Sequence, residues 1–175
     1  ETIWTTFGFG GRVEQIDLDL GSTTTRTLLR GWFEWFATQG VAIVRLDAVG
    51  YVVKKPGTSC FMVEPEIYDV LDWLIATAAD YDLLVLPEVH DVPLTQAKLS
   101  ARGYWTYDFV LPGLLLYAFE RRDAARLAEH LAASPGRQFT TLDCHDGIPV
   151  RTDLEGVLLF VEMSVLAEGV VAGGG

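Results

Sequence analysis

The sequence has 175 residues, half of them hydrophobic, and its formal net charge is −11 because 24 acidic residues outnumber 13 basic ones. A chain of this length can bury one sizeable core, and apolar content spread along the whole chain excludes disorder as its main state. A surface with this negative charge repels phosphate backbones and anionic lipids. We therefore expect neither nucleic acid nor a membrane as partner.

The apolar stretches and the cysteines point to a cytoplasmic protein. The most apolar stretch, over 109–119, is too short to span a bilayer. Cys60 and Cys144 lack metal-ligand spacing, and so few cysteines fit a reducing compartment. The chain opens with neither a signal-peptide pattern nor a Met, so we expect Glu1 to lie within a longer sequence.

Helical and strand-like patterns alternate along the first half of the chain. Apolar and aromatic residues at helical spacing predict a helix over 24–39, which Gly40 ends. The β-branched run VAIVRL at 41–46 is typical of a parallel strand buried on both faces. A helix over 65–79 and a second buried strand over 83–86 repeat the cycle. This alternation predicts βαβ units and an α/β fold.

The second half continues the pattern with shorter elements. Helices are predicted over 94–101, 111–119 and 123–133, and strands over 104–109, 139–142 and within 157–163. Two architectures use this alternation, the open doubly wound sheet and the closed eight-stranded barrel. In both, ligands bind at the carboxyl ends of the strands. A glycine-rich phosphate turn is missing, since the glycines of FGFGG at 7–11 precede no helix.

An acid follows each of three predicted strands. Asp47 ends VAIVRLD, Glu88 ends LLVLPE, and Asp146 follows FTTLDCH. One acid in this position is usually a loop cap or half of an ion pair. Three acids at equivalent strand ends favour a site, because a carboxylate beside an apolar run is costly to desolvate without partners.

The neighbours of these acids suggest a chemistry. Arg45 lies two residues before Asp47, so both side chains face the same side of a strand, and the cation would keep a nucleophilic carboxylate ionised. Glu88 follows an apolar run, a setting that suits a general acid. His145 could donate a hydrogen bond to a sugar hydroxyl. Two carboxylates in different environments are the arrangement used in glycoside chemistry.

Four motifs carry a resemblance to a known family. RLDAVGY at 45–51, EVH at 88–90 and LDCHDG at 142–147 resemble three conserved regions of the α-amylase superfamily, glycoside hydrolase family thirteen. QIDLD at 15–19 is similar to the superfamily's fifth region. An Asp and a His that form the superfamily's first region have no counterpart in the chain.

Longer segments narrow the resemblance to one branch. Residues 54–71, 107–119 and 138–148 resemble the sucrose phosphorylase branch, which includes relatives acting on sucrose 6-phosphate or glucosylglycerate. The resemblance covers about residues 1–150. It implies part of a (β/α)8 barrel, roughly the fourth to seventh strand-helix units.

The branch also implies an organisation along the chain. Residues 1–20 would end a small inserted domain and connect it to the barrel. Residues 21–150 would form the partial catalytic barrel, and 151–175 a divergent tail. An incomplete barrel would expose strand edges and apolar helix faces, so we expect self-association of the chain on its own.

The resemblance assigns roles to the three acids. It implies that Asp47 is the nucleophile that forms a covalent glucosyl intermediate and that Glu88 is the general acid and base. Asp146 would stabilise the transition state, helped by His145, with Arg45 beside the nucleophile.

Other residues admit two interpretations. Tyr51 could bind sugar by stacking or could belong to the core, and His90 could line the pocket or be a hydrogen-bonded loop residue. Lys54 and Lys55 could attract phosphate, although a solvated loop pair is the simpler interpretation. His130, on a polar helix face, is predicted to be a surface residue.

The activity implied by the resemblance is retaining transfer of glucose from sucrose or a related α-glucoside to inorganic phosphate. It requires neither a metal nor an organic cofactor. Two alternatives stay open. One is a hydrolase or transglucosidase with another acceptor, and the other is an inactive truncated chain.

Overall fold

The computed structural model describes residues 3–8, 11–12, 14–91 and 93–142. The chain divides into two compact units, Glu1–Glu88 and Val89–Gly175. The first unit contains α1 (Thr23–Thr38), β1 (Ile43–Leu46), a 3-10 helix (Val49–Tyr51), α2 (Glu66–Ala79) and β2 (Leu84–Pro87). The second contains α3 (Pro93–Ala101), β3 (Thr106–Asp108), α4 (Leu111–Arg121), α5 (Ala125–Ala133) and β4 (Gln138–Thr140).

These elements confirm the predicted α/β class. Each helix and strand predicted within 24–142 is present, with ends that differ from the prediction by at most two residues. The short 3-10 helix after β1 was not predicted. The strand predicted within 157–163 lies outside the described residues.

The first unit is built on a parallel strand pair. Ile43 lies opposite Leu84 and Leu46 opposite Pro87, so β1 and β2 run side by side and end together. Helix α2 packs against β2 and α1. Its residues Ile67 and Leu71, spaced four apart on one helix face, are fully buried. The hydrophobic period of α2 thus fixes which face covers the strands.

Strand β1 is more exposed than the sequence suggests. Its burial alternates between exposed and half-buried positions, and Ile43 is 43% exposed. Among the described residues β1 pairs only with β2, so its other edge is not covered by a strand. The prediction of a strand buried on both faces is therefore wrong for β1, whereas it holds for most of β2.

The second unit also contains a parallel pair. Thr106 of β3 lies opposite Gln138 of β4, helix α3 packs against β3, and α4 pairs with α5. Val110 and Leu114 form the buried centre between the last two helices, where Leu127 packs against them.

The described residues thus contain two separate two-stranded parallel sheets rather than a closed barrel. Within the same residues, the helices are all too short or too polar to cross a membrane.

Candidate active site

Two of the predicted acids lie at one edge of the first unit's sheet. Asp47 follows β1 and Glu88 follows β2, and the two strands end in register. The Glu88 amide donates to the Leu46 carbonyl at 3.0 Å, which extends the strand pairing by one residue. Parallel strands place their carboxyl ends at the same edge, so the two acids are neighbours.

Arg45 joins these two acids. Its Nη1 lies 2.7 Å from Asp47 Oδ1, and its Nη2 contacts Glu88 Oε1. The spacing of two residues on an extended strand predicts the first contact. The contact with Glu88 was not expected, since it depends on the pairing of β1 with β2.

The two carboxylates differ in exposure. The Asp47 side chain is 69% exposed, whereas that of Glu88 is only 6% exposed. Glu88 Oε2 also accepts the Ala48 amide at 3.2 Å. The expectation of a purely apolar setting for Glu88 is therefore incomplete, because a cation and a backbone donor both contact its carboxylate.

The turn after Asp47 supplies a backbone donor to Glu88. Ala48, the first residue of this turn, has a positive φ of 46°, and its amide donates to Glu88 Oε2. Burial disfavours the charged form of Arg45, but the hydrogen bond to Asp47 and the charge of Glu88 outweigh it and raise the pKa of the guanidinium. Arg45 therefore stays charged between the two acids.

A cavity of about 370 Å³ adjoins this edge. It is lined among others by Arg45, Asp47 and Tyr51. The Tyr51 ring contacts Phe7 edge-on at 5.6 Å between centroids and Phe61 at 4.7 Å. Tyr51 therefore packs in an aromatic cluster and also lines the cavity.

The remaining predicted residues lie in the second unit or outside the described residues. His90 lies in the second unit, where its ring stacks on Phe109 at 3.7 Å between centroids. Asp146 and His145 lie outside the described residues, as does Cys144. Among the residues described, no three His, Cys, Asp or Glu side chains are grouped to hold a metal ion.

Sequence reasoning missed an acid-base pair in the second unit. Asp108, the last residue of β3, is fully buried, and His130 Nε2 lies 2.9 Å from its Oδ2. The amides of Val110 and Leu111 donate to Asp108 Oδ1 at 3.2 and 3.0 Å. The prediction that His130 is a surface residue is therefore wrong, because its side chain is only 22% exposed and binds a buried carboxylate.

Comparison with known proteins gives one consistent group of relatives. A sucrose 6(F)-phosphate phosphorylase from Thermoanaerobacterium thermosaccharolyticum is 52% identical over 158 residues, which is 90% of this chain and 32% of the relative. A sucrose phosphorylase from Streptococcus mutans is 42% identical over 94% of the chain and 33% of its own length. A glucosylglycerol phosphorylase from Marinobacter adhaerens is 39% identical over 97% of the chain and 34% of its own length.

A solved structure agrees with the sequence matches. The crystal structure of sucrose 6F-phosphate phosphorylase from Thermoanaerobacter thermosaccharolyticum matches with a TM-score of 0.83 at 53% identity, covering 87% of this chain and 31% of that one. This chain is homologous to one segment of the sucrose phosphorylases and related phosphorylases. It spans about a third of the length of the relatives it matches. No protein-family model matches the chain.

Proposed function

We propose that the chain supplies the nucleophile and the general acid of a retaining glucosyl transferase of the sucrose phosphorylase type. The observation that carries the proposal is the Arg45 guanidinium, which contacts Asp47 and Glu88 together at the carboxyl ends of two paired strands. The donor is sucrose or a related α-glucoside, and the acceptor is inorganic phosphate. The relatives named above support both assignments.

The exposures of the two acids suit different roles. Asp47 is accessible from the cavity, and in the proposed reaction its carboxylate attacks the anomeric carbon to form a glucosyl ester. Glu88 is nearly buried, and it would protonate the departing fructose oxygen, then accept the proton of the incoming phosphate. Two displacements at the same carbon return the original anomeric configuration.

Four further residues complete the proposed site. Asp146 would stabilise the transition state through glucose hydroxyls, helped by His145. Tyr51 would bind the sugar from the cavity wall, where its ring lies. His90 would bind substrate, as the motif EVH at 88–90 suggests.

The proposal includes a fold and a domain organisation. We take the described units to be part of a (β/α)8 barrel, its fourth to seventh strand-helix units. The boundaries at residues 20 and 150 remain predictions. So does a cytoplasmic location.

The test is an assay of the full-length protein with sucrose and inorganic phosphate. Formation of α-glucose 1-phosphate, followed by phosphorus NMR, is the expected result. A parallel arm replaces sucrose by sucrose 6(F)-phosphate, which identifies the preferred donor. Fructose released equally fast without phosphate would support a hydrolase instead, and a sugar acceptor preferred to phosphate would support a transglucosidase.

A chimeric enzyme tests whether this sequence supports the proposed activity. In it, the chain replaces the homologous third of the Thermoanaerobacterium enzyme, which retains all other parts of a complete protein. The chimera should form glucose 1-phosphate, and the same chimera with Asp47→Asn should not. A folded chimera without activity would contradict the proposal and favour the inactive chain.

For the 175-residue chain on its own, we propose self-association. Exposed apolar side chains on α1 and β1 support it, notably Trp32, Trp35 and Ile43. Sedimentation velocity over a range of concentrations would show a monomer if this proposal is wrong.

A further inference from the structure

A second ion pair lies near the cavity, and it is held in a small polar cluster. Lys54 Nζ lies 2.8 Å from Asp17 Oδ2, and it also contacts the Thr6 hydroxyl. Thr6 in turn donates to Asp17 Oδ2 at 2.7 Å. Both charged side chains are largely buried, with 13% of Lys54 and 17% of Asp17 exposed. We call Lys54, Asp17 and Thr6 the Lys54 cluster.

The adjacent lysine provides an internal comparison. Lys55 forms an ion pair with Glu66 of the same length, 2.8 Å, but these side chains are 50% and 43% exposed. Water screens such a pair, so its loss costs little. Loss of one partner in the largely buried pair leaves a charge that water reaches poorly. Burial disfavours ionisation of Asp17, yet its hydrogen bonds to Lys54 and Thr6 hold its pKa below the ordinary value.

The cluster ties together three separate segments of the first unit. Thr6 belongs to 3–8, Asp17 to 14–19, and Lys54 to the loop that follows the 3-10 helix. Further contacts link these segments. The Asp17 amide donates to the Trp4 carbonyl at 3.0 Å, and the Phe7 ring meets the Tyr51 ring.

The same segments form a wall of the cavity that contains Asp47. Phe7 and Tyr51 line this cavity, and so do all three members of the cluster. Asp17 and Lys54 also line a second cavity of about 730 Å³. The ion pair therefore stands in the partition between the two cavities.

We propose that Lys54 is a positioning residue for donor binding, which fixes the partition and thereby holds Phe7 and Tyr51 beside Asp47. The inference rests on the proposed function, because it assigns the cavity to the glucoside donor. Lys54 acts through Thr6 and Asp17 and takes no part in the chemical step. Loosening the partition weakens binding of donor and transition state alike, which raises KM and leaves kcat nearly unchanged.

The first test measures donor kinetics of Lys54→Met, Lys54→Arg and Lys55→Met in the full-length protein. Lys54→Met should raise the KM for sucrose about tenfold while kcat changes less than about threefold. Lys54→Arg keeps the charge and should recover most of the affinity. Lys55→Met, the matched control, should behave like the unsubstituted protein. An unchanged KM in Lys54→Met, or a fall in kcat alone, would overturn the proposal.

The second test needs no activity. Hydrogen exchange in the full-length protein should become faster in Lys54→Met at the Asp17 amide and in segment 3–8. Helix α2 should be unaffected, which separates local loosening from general unfolding. If these amides exchanged equally fast in Lys54→Met and in the unsubstituted protein, Lys54 would not hold the partition in place. An unsubstituted full-length protein that makes no product refutes the proposed function, whereas an unchanged KM in an active protein refutes only the role of Lys54.

Discussion

The carboxyl ends of β1 and β3 both carry an aspartate paired with a basic side chain, yet the two sites differ in burial and in the other groups that contact the carboxylate. Asp47 after β1 is 69% exposed and shares Arg45 with a second carboxylate. Asp108 at the end of β3 is fully buried and binds His130 together with two backbone amides. One aspartate faces a cavity, and the other fastens the start of α4.

The difference shows that a position at the end of a strand does not by itself determine the role of an acidic residue. The hydrogen bonds described above connect Asp108 to two amides at the start of α4 and to His130 of α5. Asp47 presents its exposed carboxylate to a cavity, where a substrate can reach it. The four predictions below test this contrast between a proposed chemical role and a structural one.

The largest effect is expected for Asp47→Asn. An amide is a poor nucleophile, so turnover in the full-length protein should fall by on the order of 10⁴-fold or more while the melting temperature stays nearly constant. Asp80→Asn is the matched control, since Asp80 is also exposed and lies 2.9 Å from an arginine, Arg30. A mild effect on turnover by Asp47→Asn would remove it as the nucleophile.

Arg45→Lys should have the next largest effect. Lysine keeps the charge but has a single side-chain nitrogen, so it cannot contact Asp47 and Glu88 from two separate nitrogens as the planar guanidinium does. We expect kcat/KM for the donor to fall by about 10- to 100-fold. Arg30→Lys should leave these kinetics unchanged. If Arg45→Lys also left kcat/KM unchanged, the contact of Arg45 with both acids would have no part in the reaction.

Asp108→Ala should act on stability rather than on chemistry. It leaves His130 and the amides of Val110 and Leu111 without their acceptor in the buried interior. Loss of the acceptor costs about 1 to 3 kcal/mol for each buried donor left unsatisfied, which urea denaturation of the full-length protein can measure. Asp108→Asn keeps an acceptor for the amides, so its cost should be smaller. A stability unchanged by Asp108→Ala would show that Asp108 does not fasten α4.

The smallest effect concerns pH. The hydrogen bond from His130 to Asp108 raises the pKa of the imidazole above its ordinary value, against the opposing effect of burial. The stabilisation is thus full below the ordinary value of about 6.5 and is lost as the pH rises through the higher folded value. His130→Gln should remove this part of the pH dependence of urea denaturation. If the stability of His130→Gln depended on pH in the same way as that of the unsubstituted protein, the prediction would be wrong.

Local patterns explain how much of the fold was predictable. The helical period of α2 and the apolar run of β2 depend on neighbouring residues, and both elements lie within a residue or two of the predicted positions. The exposure of Ile43 depends on what lies beside β1, and no local pattern records that. The same limit applies to His130, which was predicted on a polar helix face yet contacts Asp108 from 22 residues away.

In the candidate site, too, contacts between residues close in sequence were predictable and contacts between distant residues were not. Arg45 and Asp47 are two residues apart, so their contact follows from strand geometry alone. The contact of Arg45 with Glu88 requires the pairing of β1 with β2, which a single sequence suggests but does not align. The Lys54 cluster joins residues 11 and 48 positions apart, and the motif QIDLD at 15–19 does not record which side chains Asp17 contacts.

Ala48 has a conformation that an L-amino acid rarely adopts, directly between the proposed nucleophile and the 3-10 helix. The left-handed region costs a residue with a Cβ about 1 kcal/mol, energy that the native contacts of this turn must supply. Glycine would relieve that strain at once and free the peptide plane to rotate. Ala48→Gly should therefore lose no stability from the turn itself while turnover falls. A fall in turnover without any loss of stability would show that this turn costs folding energy and serves the reaction.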